Sequence, residues 1–200
     1  MPKKKYFLNE EKTEILELSW KSGYSEIEIF YNSKPVAQIS GGQAESGQQI
    51  ELVDGKKLYL KLERSFFPVL TVKIDGKHIS GTHGDPVYQL RQIFYFMIVL
   101  GIVNILIELF IFIMGYEVSN LKYCTAAIGI IYIALGYLVS KGNGIALTAI
   151  ILLLFCDLII SMKTIPEVFS IVLIIKVAFL AIIMRGFRYI KEYNVEKGLK

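Results

Sequence analysis

LGIVNILIELFIFI (100–113) is an almost wholly apolar stretch that contains one acid, Glu108. Two further apolar stretches carry one charge each: ILLLFCDLIISM (151–162) has Asp157, and FSIVLIIKVAFLAII (169–183) has Lys176. A charge near the bilayer centre costs a few kcal/mol or more, so such residues usually face a bundle interior and pair with one another. Two acids and one base therefore predict a polar site inside a helical membrane bundle.

Four apolar spans are predicted, at about 91–114, 121–140, 144–162 and 167–186. Each is close to the roughly 20 residues that cross a bilayer, and the short connectors between them require antiparallel neighbours. Four spans place both termini on one side of the membrane. The basic residues that flank that side are Arg91, Lys141, Arg185, Arg188 and Lys191, against Lys122 and Lys163 on the other. This bias predicts a cell-membrane protein with cytoplasmic termini.

The amino-terminal part has a different composition. Residues 1–89 contain 12 basic and 12 acidic residues, so the net charge of +4 lies in the apolar part. A balanced amino-terminal domain has no positive field for nucleic acid, and nucleic-acid binding is not expected. The opening MPKKKYFLNEEK lacks the apolar segment of a secretory signal, so we expect this domain to stay in the cytosol.

Alternating residues predict β structure in this domain. SEIEIFY (25–31) places Ile27, Ile29 and Tyr31 on one face, and KLYLKLE (57–63) alternates in the same way. Turn signals at Asn32-Ser33, Asp54-Gly55 and Asp75-Gly76 separate such segments. With the neighbouring segments they give about seven short strands and predict a small antiparallel sandwich or barrel. The segment SGGQAESGQQ (40–49) is predicted to be a loop without phosphate-binding spacing.

Asp85-Pro86 marks the predicted boundary, because aspartate caps helices and proline fits their first turn. A helix over 86–114 would be about 43 Å long, more than the roughly 30 Å of the hydrocarbon core. We therefore expect it to leave the β domain without a hinge and to couple that domain rigidly to the bundle. The predicted domains are a β-rich domain (1–85), a transmembrane domain (86–190) and a basic cytosolic tail (191–200).

ISGTHGDP (79–86), followed by a membrane helix with an Asn and by three more spans, resembles a group of uncharacterised bacterial membrane proteins. These proteins are similar in placing a small β-rich cytosolic domain before four membrane helices. The resemblance covers most of the chain. It implies the architecture and no activity.

The predicted intramembrane site contains Asn104, Glu108, Tyr132, Asp157 and Lys176. Helical spacing gives each of the first two spans a stripe of small and polar residues, which lets helices approach closely. The stripes are Gly101, Asn104 and Glu108 in the first span, and Thr125, Gly129, Tyr132 and Gly136 in the second. Two interpretations stay open. In one, Lys176 neutralises an acid and the site holds the bundle together; in the other, a surplus carboxylate titrates or binds a cation during transport.

The leading functional prediction is a non-enzymatic membrane protein whose β domain binds a protein or small-ligand partner. No His lies in the spans and only one Asp, so no catalytic set is predicted, and no cofactor or metal site is expected. The alternative is a small proton- or cation-coupled transporter or channel subunit. That alternative predicts a homo-oligomer, because four helices enclose little space.

Overall fold

The structure is a computed structural model that describes residues 1–64, 68–114, 124–164 and 169–198. Within its helices, the side chains of 111, 124, 160–164, 169–173, 175 and 176 lie outside the description. The chain divides into two compact units, Met1–Tyr88 and Gln89–Lys200. The strands lie in the first unit, and the long helices lie mainly in the second.

The described part of the first unit contains eight strands in two antiparallel four-stranded sheets. The first sheet has the order β1 (Lys3–Phe7), β2 (Ile15–Trp20), β3 (Glu26–Tyr31) and β4 (Lys34–Ser40). The second has the order β5 (Gln48–Glu51), β6 (Lys57–Glu63), β7 (Val69–Ile74) and β8 (Lys77–His78). The prediction of a small antiparallel β domain ahead of helices is confirmed.

One hydrophobic core is shared by the two sheets. Its members from the central strands β3 and β6 are Ile27, Ile29, Tyr31, Leu58, Leu60 and Leu62. All six are below 9% exposed, as the alternation predicted. Fully burying a Leu or Ile side chain contributes roughly 1.5–3 kcal/mol, so this shared core is what holds one sheet against the other.

Two elements of this domain differ from the prediction. β1 was not predicted, because Lys3 and Lys5 hide its alternation. Both lysines point outward and form ion pairs with Glu17 at 3.3 Å. Of the β1 residues, Tyr6 alone reaches the core. The segment predicted as a loop contains a short helix, α1 (Gly41–Ser46). Ser40 starts it with a capping box, in which its hydroxyl accepts from the backbone N–H of Gln43 at 3.3 Å.

The turn predictions are confirmed at all three positions, since each pair lies between two adjacent antiparallel strands. Asn32 and Ser33 have φ angles of 48° and 66°, and Asp75 and Gly76 have 49° and 81°. Both pairs are two-residue turns between adjacent strands, as expected where positive φ is needed twice. Gly55 has positive φ but Asp54 does not, since β5 and β6 are joined by a longer connection.

Helix α2 (Pro86–Ile113) begins where the sequence predicted. Oδ1 of Asp85 accepts from the N–H of Val87 at 2.9 Å, and Oδ2 accepts from Gly81 at 3.0 Å. The carboxylate therefore caps the helix and also fixes the loop that leads into it. No other helix in the described part of the chain is as long as α2.

The other helices of the second unit are α3 (Cys124–Ser140), α4 (Gly144–Thr164), α5 (Phe169–Met184) and α6 (Gly186–Glu196). Among the described residues, only Pro86–Phe110 is long and apolar enough to span a membrane, with 25 residues and a mean hydropathy of 2.4. Thr125–Ser140 and Gly144–Ile159 are shorter apolar helices. The fold is thus a two-sheet domain followed by helices, and four membrane spans remain a prediction.

The connection between α3 and α4 is a tight turn with a defined hydrogen-bond pattern. Gly142 has a φ of 82°, and its N–H donates to Val139 at 2.8 Å while that of Asn143 donates to Leu138 at 3.2 Å. This is the Schellman pattern that ends helices. Oδ1 of Asn143 then accepts from the N–H of Ala146 at 3.1 Å, so the same turn also caps α4.

Candidate polar site in the helical unit

Glu108 of α2 caps the beginning of α3. Its Oε2 accepts a hydrogen bond of 2.5 Å from the backbone N–H of Ala126, the third residue of α3. The first amides of a helix have no partner within the helix, and its positive dipole end favours an anion. Residues 121–124, LKYC, contain none of the Ser, Thr, Asp or Asn residues that usually cap helices. The carboxylate therefore supplies from α2 an acceptor that these residues lack.

The second oxygen of the same carboxyl group has a different environment. In the described part of the chain, Oε1 of Glu108 is buried and has no hydrogen-bond partner. Burying a charged oxygen without a donor is costly. The described contacts therefore leave one oxygen of this carboxyl group bonded and the other without a donor.

Asn104 lies one turn before Glu108 on α2, but its amide serves its own helix. The Nδ2 group donates to the carbonyl oxygen of Leu100 at 2.9 Å. The Asn104 side chain also lies beside Gly129 of α3, where a Cβ atom would be 3.3 Å from that of Asn104. Asn104 therefore lies at the contact between α2 and α3, as the stripe predicted. The donor to Glu108 is not Asn104 but the backbone of α3.

Tyr132 marks a second position in the helical unit. Tyr132 of α3 is 3% exposed and lies in the core of the helical unit, whereas Asp157 of α4 is exposed. Ala126 and Tyr132 are about 9 Å apart along α3, so this position is separate from the cap at Glu108.

Lys176 lies on α5, and its side chain is outside the described residues. Its predicted pairing with Asp157 or Glu108 therefore stays a prediction. Of the five predicted residues, the structure places Asn104 and Glu108 at the contact of α2 with α3, Tyr132 in the core of the helical unit and Asp157 on the exposed side of α4. Sequence reasoning missed the hydrogen bond between Glu108 and Ala126, because the donor of Ala126 is its backbone N–H group.

The β domain has a groove of about 300 Å³ that is lined by residues of β3 and β4. The register of these strands shifts between Ile29 and Phe30, and such bulges re-aim side chains. The lining residues are Glu28, Ile29, Phe30, Pro35, Val36, Ala37 and Gln38. A mostly apolar lining with a few polar groups is typical of small-ligand sites, and this groove is at the small end of their size range.

The described residues contain no group of three or more His, Cys, Asp or Glu side chains placed to hold a metal ion. The comparisons leave the resemblance noted from ISGTHGDP untested. No family model, curated protein or solved structure matches this chain.

Proposed function

We propose that this chain is a multi-pass membrane protein whose helical unit anchors the β domain, and that the β domain is a cytosolic binding module. The observation that carries the proposal is the distribution of large apolar side chains. In the first unit, the exposed large apolar side chains are Met1, Phe7, Val53 and Val87. All other exposed large apolar side chains among the described residues belong to the helical unit. An apolar surface of that extent is unusual for a protein surrounded by water.

Helix α2 supports the membrane assignment most directly. Val99, Ile102, Val103, Leu106 and Ile107 are each at least 46% exposed, and their spacing places them on one face of the helix. The polar side chains of the same segment, Asn104 and Glu108, bond to backbone groups instead. Apolar side chains on the outside and polar side chains that bond to backbone groups on the inside are what a lipid environment selects.

The topology is tested by cysteine labelling in cells. Cys124 and Cys156 are first replaced by serine, and a single cysteine is placed at Lys34, the exposed first residue of β4, or at Asn120 in the predicted outer connector. A membrane-impermeant maleimide should label Asn120→Cys in intact cells and Lys34→Cys only after the cells are opened. Extraction of the chain from membranes by alkaline carbonate, or labelling in the opposite order, would overturn the proposal.

The groove on β3 and β4 is the proposed binding surface. A photo-crosslinking phenylalanine derivative at Phe30 of the full chain should form a discrete adduct in cells, because Phe30 lines the groove. Phe7 is the matched control, since it is 51% exposed on the same sheet but lies outside the groove. A charge in the groove at the exposed Pro35, Pro35→Arg, should abolish the Phe30 adduct. Equal adducts from both positions would contradict a specific site.

A second candidate function rests on the buried Oε1 of Glu108. An intramembrane carboxylate that changes its protonation or binds a cation is the usual device of coupled transporters. Under this hypothesis Glu108→Gln and Asp157→Asn abolish proton or cation flux in reconstituted liposomes, whereas Glu196→Gln on α6 does not. Absence of flux in the parent protein, or equal flux in all variants, would remove this candidate and leave the binding function in place.

A further inference from the structure

Helix α6 is amphipathic and packs one face on the helical unit. Tyr189 and Ile190 are 7% and 6% exposed and belong to the core of that unit. A Cβ atom at Gly186 would lie 2.9 Å from Ile93 and 3.0 Å from Leu147, so α6 is seated closely against α2 and α4. The packed face fixes which side chains the helix presents outward.

The opposite end of α6 contacts the α3–α4 turn. A Cβ atom at Gly142 would lie 2.6 Å from the ring of Tyr193, and Nδ2 of Asn194 donates to the carbonyl oxygen of Gly142 at 3.4 Å. Lys141 precedes that turn and is exposed. α6 and the turn therefore form one surface at one end of the helical unit.

The outward side of α6 combines apolar and basic side chains. Phe187, Lys191 and Val195 follow one another at intervals of four residues, which places them on one stripe of the helix. Phe187 is 44% exposed and Val195 is 72% exposed, and Lys191 between them is exposed as well. Among the described residues, Lys191 forms no ion pair, while Arg188 bonds to Glu192 at 2.8 Å.

The charge of this end of the unit is positive. The exposed or half-exposed basic residues of α6 and of the turn are Lys141, Arg185, Arg188, Lys191 and Lys197, and the acids of the same segment are Glu192 and Glu196. Five bases against two acids leave a net charge of +3 on the combined surface. A helix with an apolar side and lysines beside it is suited to the boundary between lipid headgroups and acyl chains, where lysine stems lie along apolar surface and reach the headgroups.

We propose that α6 and the α3–α4 turn form a binding surface for anionic phospholipid headgroups, with Lys141 and Lys191 contacting the headgroup phosphates and Phe187 and Val195 the acyl boundary. This inference rests on the proposed membrane function and adds to it the class of lipid that is bound. Anionic lipid is the occupant that matches both the charge and the apolar stripe. A free phosphate would match the charge alone.

The full chain, purified in zwitterionic detergent, is titrated with phosphatidylglycerol, with phosphatidylcholine or with glycerol phosphate, and thermal unfolding is followed. A ligand that binds only the folded state raises the unfolding temperature with its concentration. We expect phosphatidylglycerol alone to do so. The double variant Lys141→Gln/Lys191→Gln should bind about thirtyfold more weakly, since a lysine near an anionic surface contributes about 1 kcal/mol.

Lys34→Gln/Lys57→Gln is the charge-matched control, because both lysines are exposed in the β domain. It should bind phosphatidylglycerol like the parent, and both double variants should unfold at the parent temperature without lipid. Equal shifts with both lipids, an equal shift with glycerol phosphate, or parent-like binding by Lys141→Gln/Lys191→Gln would overturn the inference. Carbonate extraction of the same variants distinguishes the two proposals. If only the lipid inference is wrong, the chain stays in the membrane; if the membrane proposal is wrong, carbonate releases it.

Discussion

Gly101 and Gly129 face each other at the contact of α2 with α3, and a Cβ atom on either would lie 2.5 Å from the carbonyl oxygen of the other. No side chain fits there without moving a backbone. Gly129→Ala should therefore destabilise the chain by about 1–3 kcal/mol, although alanine favours helices. Thermal unfolding in detergent measures this. Gly144→Ala is the control, since nothing lies within 4 Å of its Cβ position, and equal stability of both variants would contradict the close contact.

The cap on α3 leads to a second prediction. Glu108→Leu removes the acceptor of the Ala126 N–H and should lower stability by roughly 1–3 kcal/mol, the usual effect of leaving a buried donor unsatisfied. Glu108→Gln keeps a side-chain oxygen at this position and should retain part of that stability. Thermal unfolding of the three proteins in the same detergent ranks them. A Glu108→Leu variant as stable as the parent would show that Ala126 finds another acceptor.

A third prediction concerns acid stability of the β domain. Tyr31 donates to Oδ2 of Asp54 at 2.7 Å and, with Lys56, holds the pKa of that carboxyl below its ordinary value. A carboxyl group whose pKa is lower in the folded than in the unfolded state stabilises the fold at pH values above its unfolded-state pKa. This contribution is lost as the pH falls through its folded-state pKa. Asp54→Asn should therefore cost stability at neutral pH, with a difference from the parent that shrinks below about pH 4.

Urea unfolding followed through Trp20, the single tryptophan of the chain, reports on this domain. Tyr31→Phe serves as the companion variant, because it removes the hydroxyl and leaves the carboxylate. It should weaken the same pH dependence. A difference between Asp54→Asn and the parent that stays constant from neutral pH to below pH 4 would argue against the hydrogen bond.

The β3–β4 turn gives a fourth prediction. Ser33 has a φ of 66°, a left-handed conformation that costs a residue with a side chain roughly 1–2 kcal/mol. Ser33→Gly relieves this but makes the unfolded chain more flexible, so we expect a net gain of about 0.5–1 kcal/mol. Ser25→Gly is the control, since Ser25 has a φ of −62° and should lose stability. Urea unfolding of both variants decides between gain and loss.

The sequence predicted those elements whose signal is local. The alternation in β3 and β6 identified their buried faces, and Asp85-Pro86 located the start of α2. β1 escaped prediction because its lysines lie on the outer face, so that only Tyr6 marks the inner one. The partner of Glu108 could not be identified from residue types, since every residue except proline carries a backbone N–H and only the packing of α2 on α3 selects Ala126.

The α3–α4 turn has a consequence for biosynthesis. The backbone N–H groups of Gly142 and Asn143 and Oδ1 of Asn143 bond to residues within five positions, so the two helices can form a hairpin as soon as both have left the ribosome. Closing so short a loop costs little chain entropy. Tyr193 and Asn194, which contact the finished turn, are made about fifty residues later. The last helix therefore docks onto a hairpin that is already in place, and a chain truncated before Tyr193 would lack the contact that completes assembly.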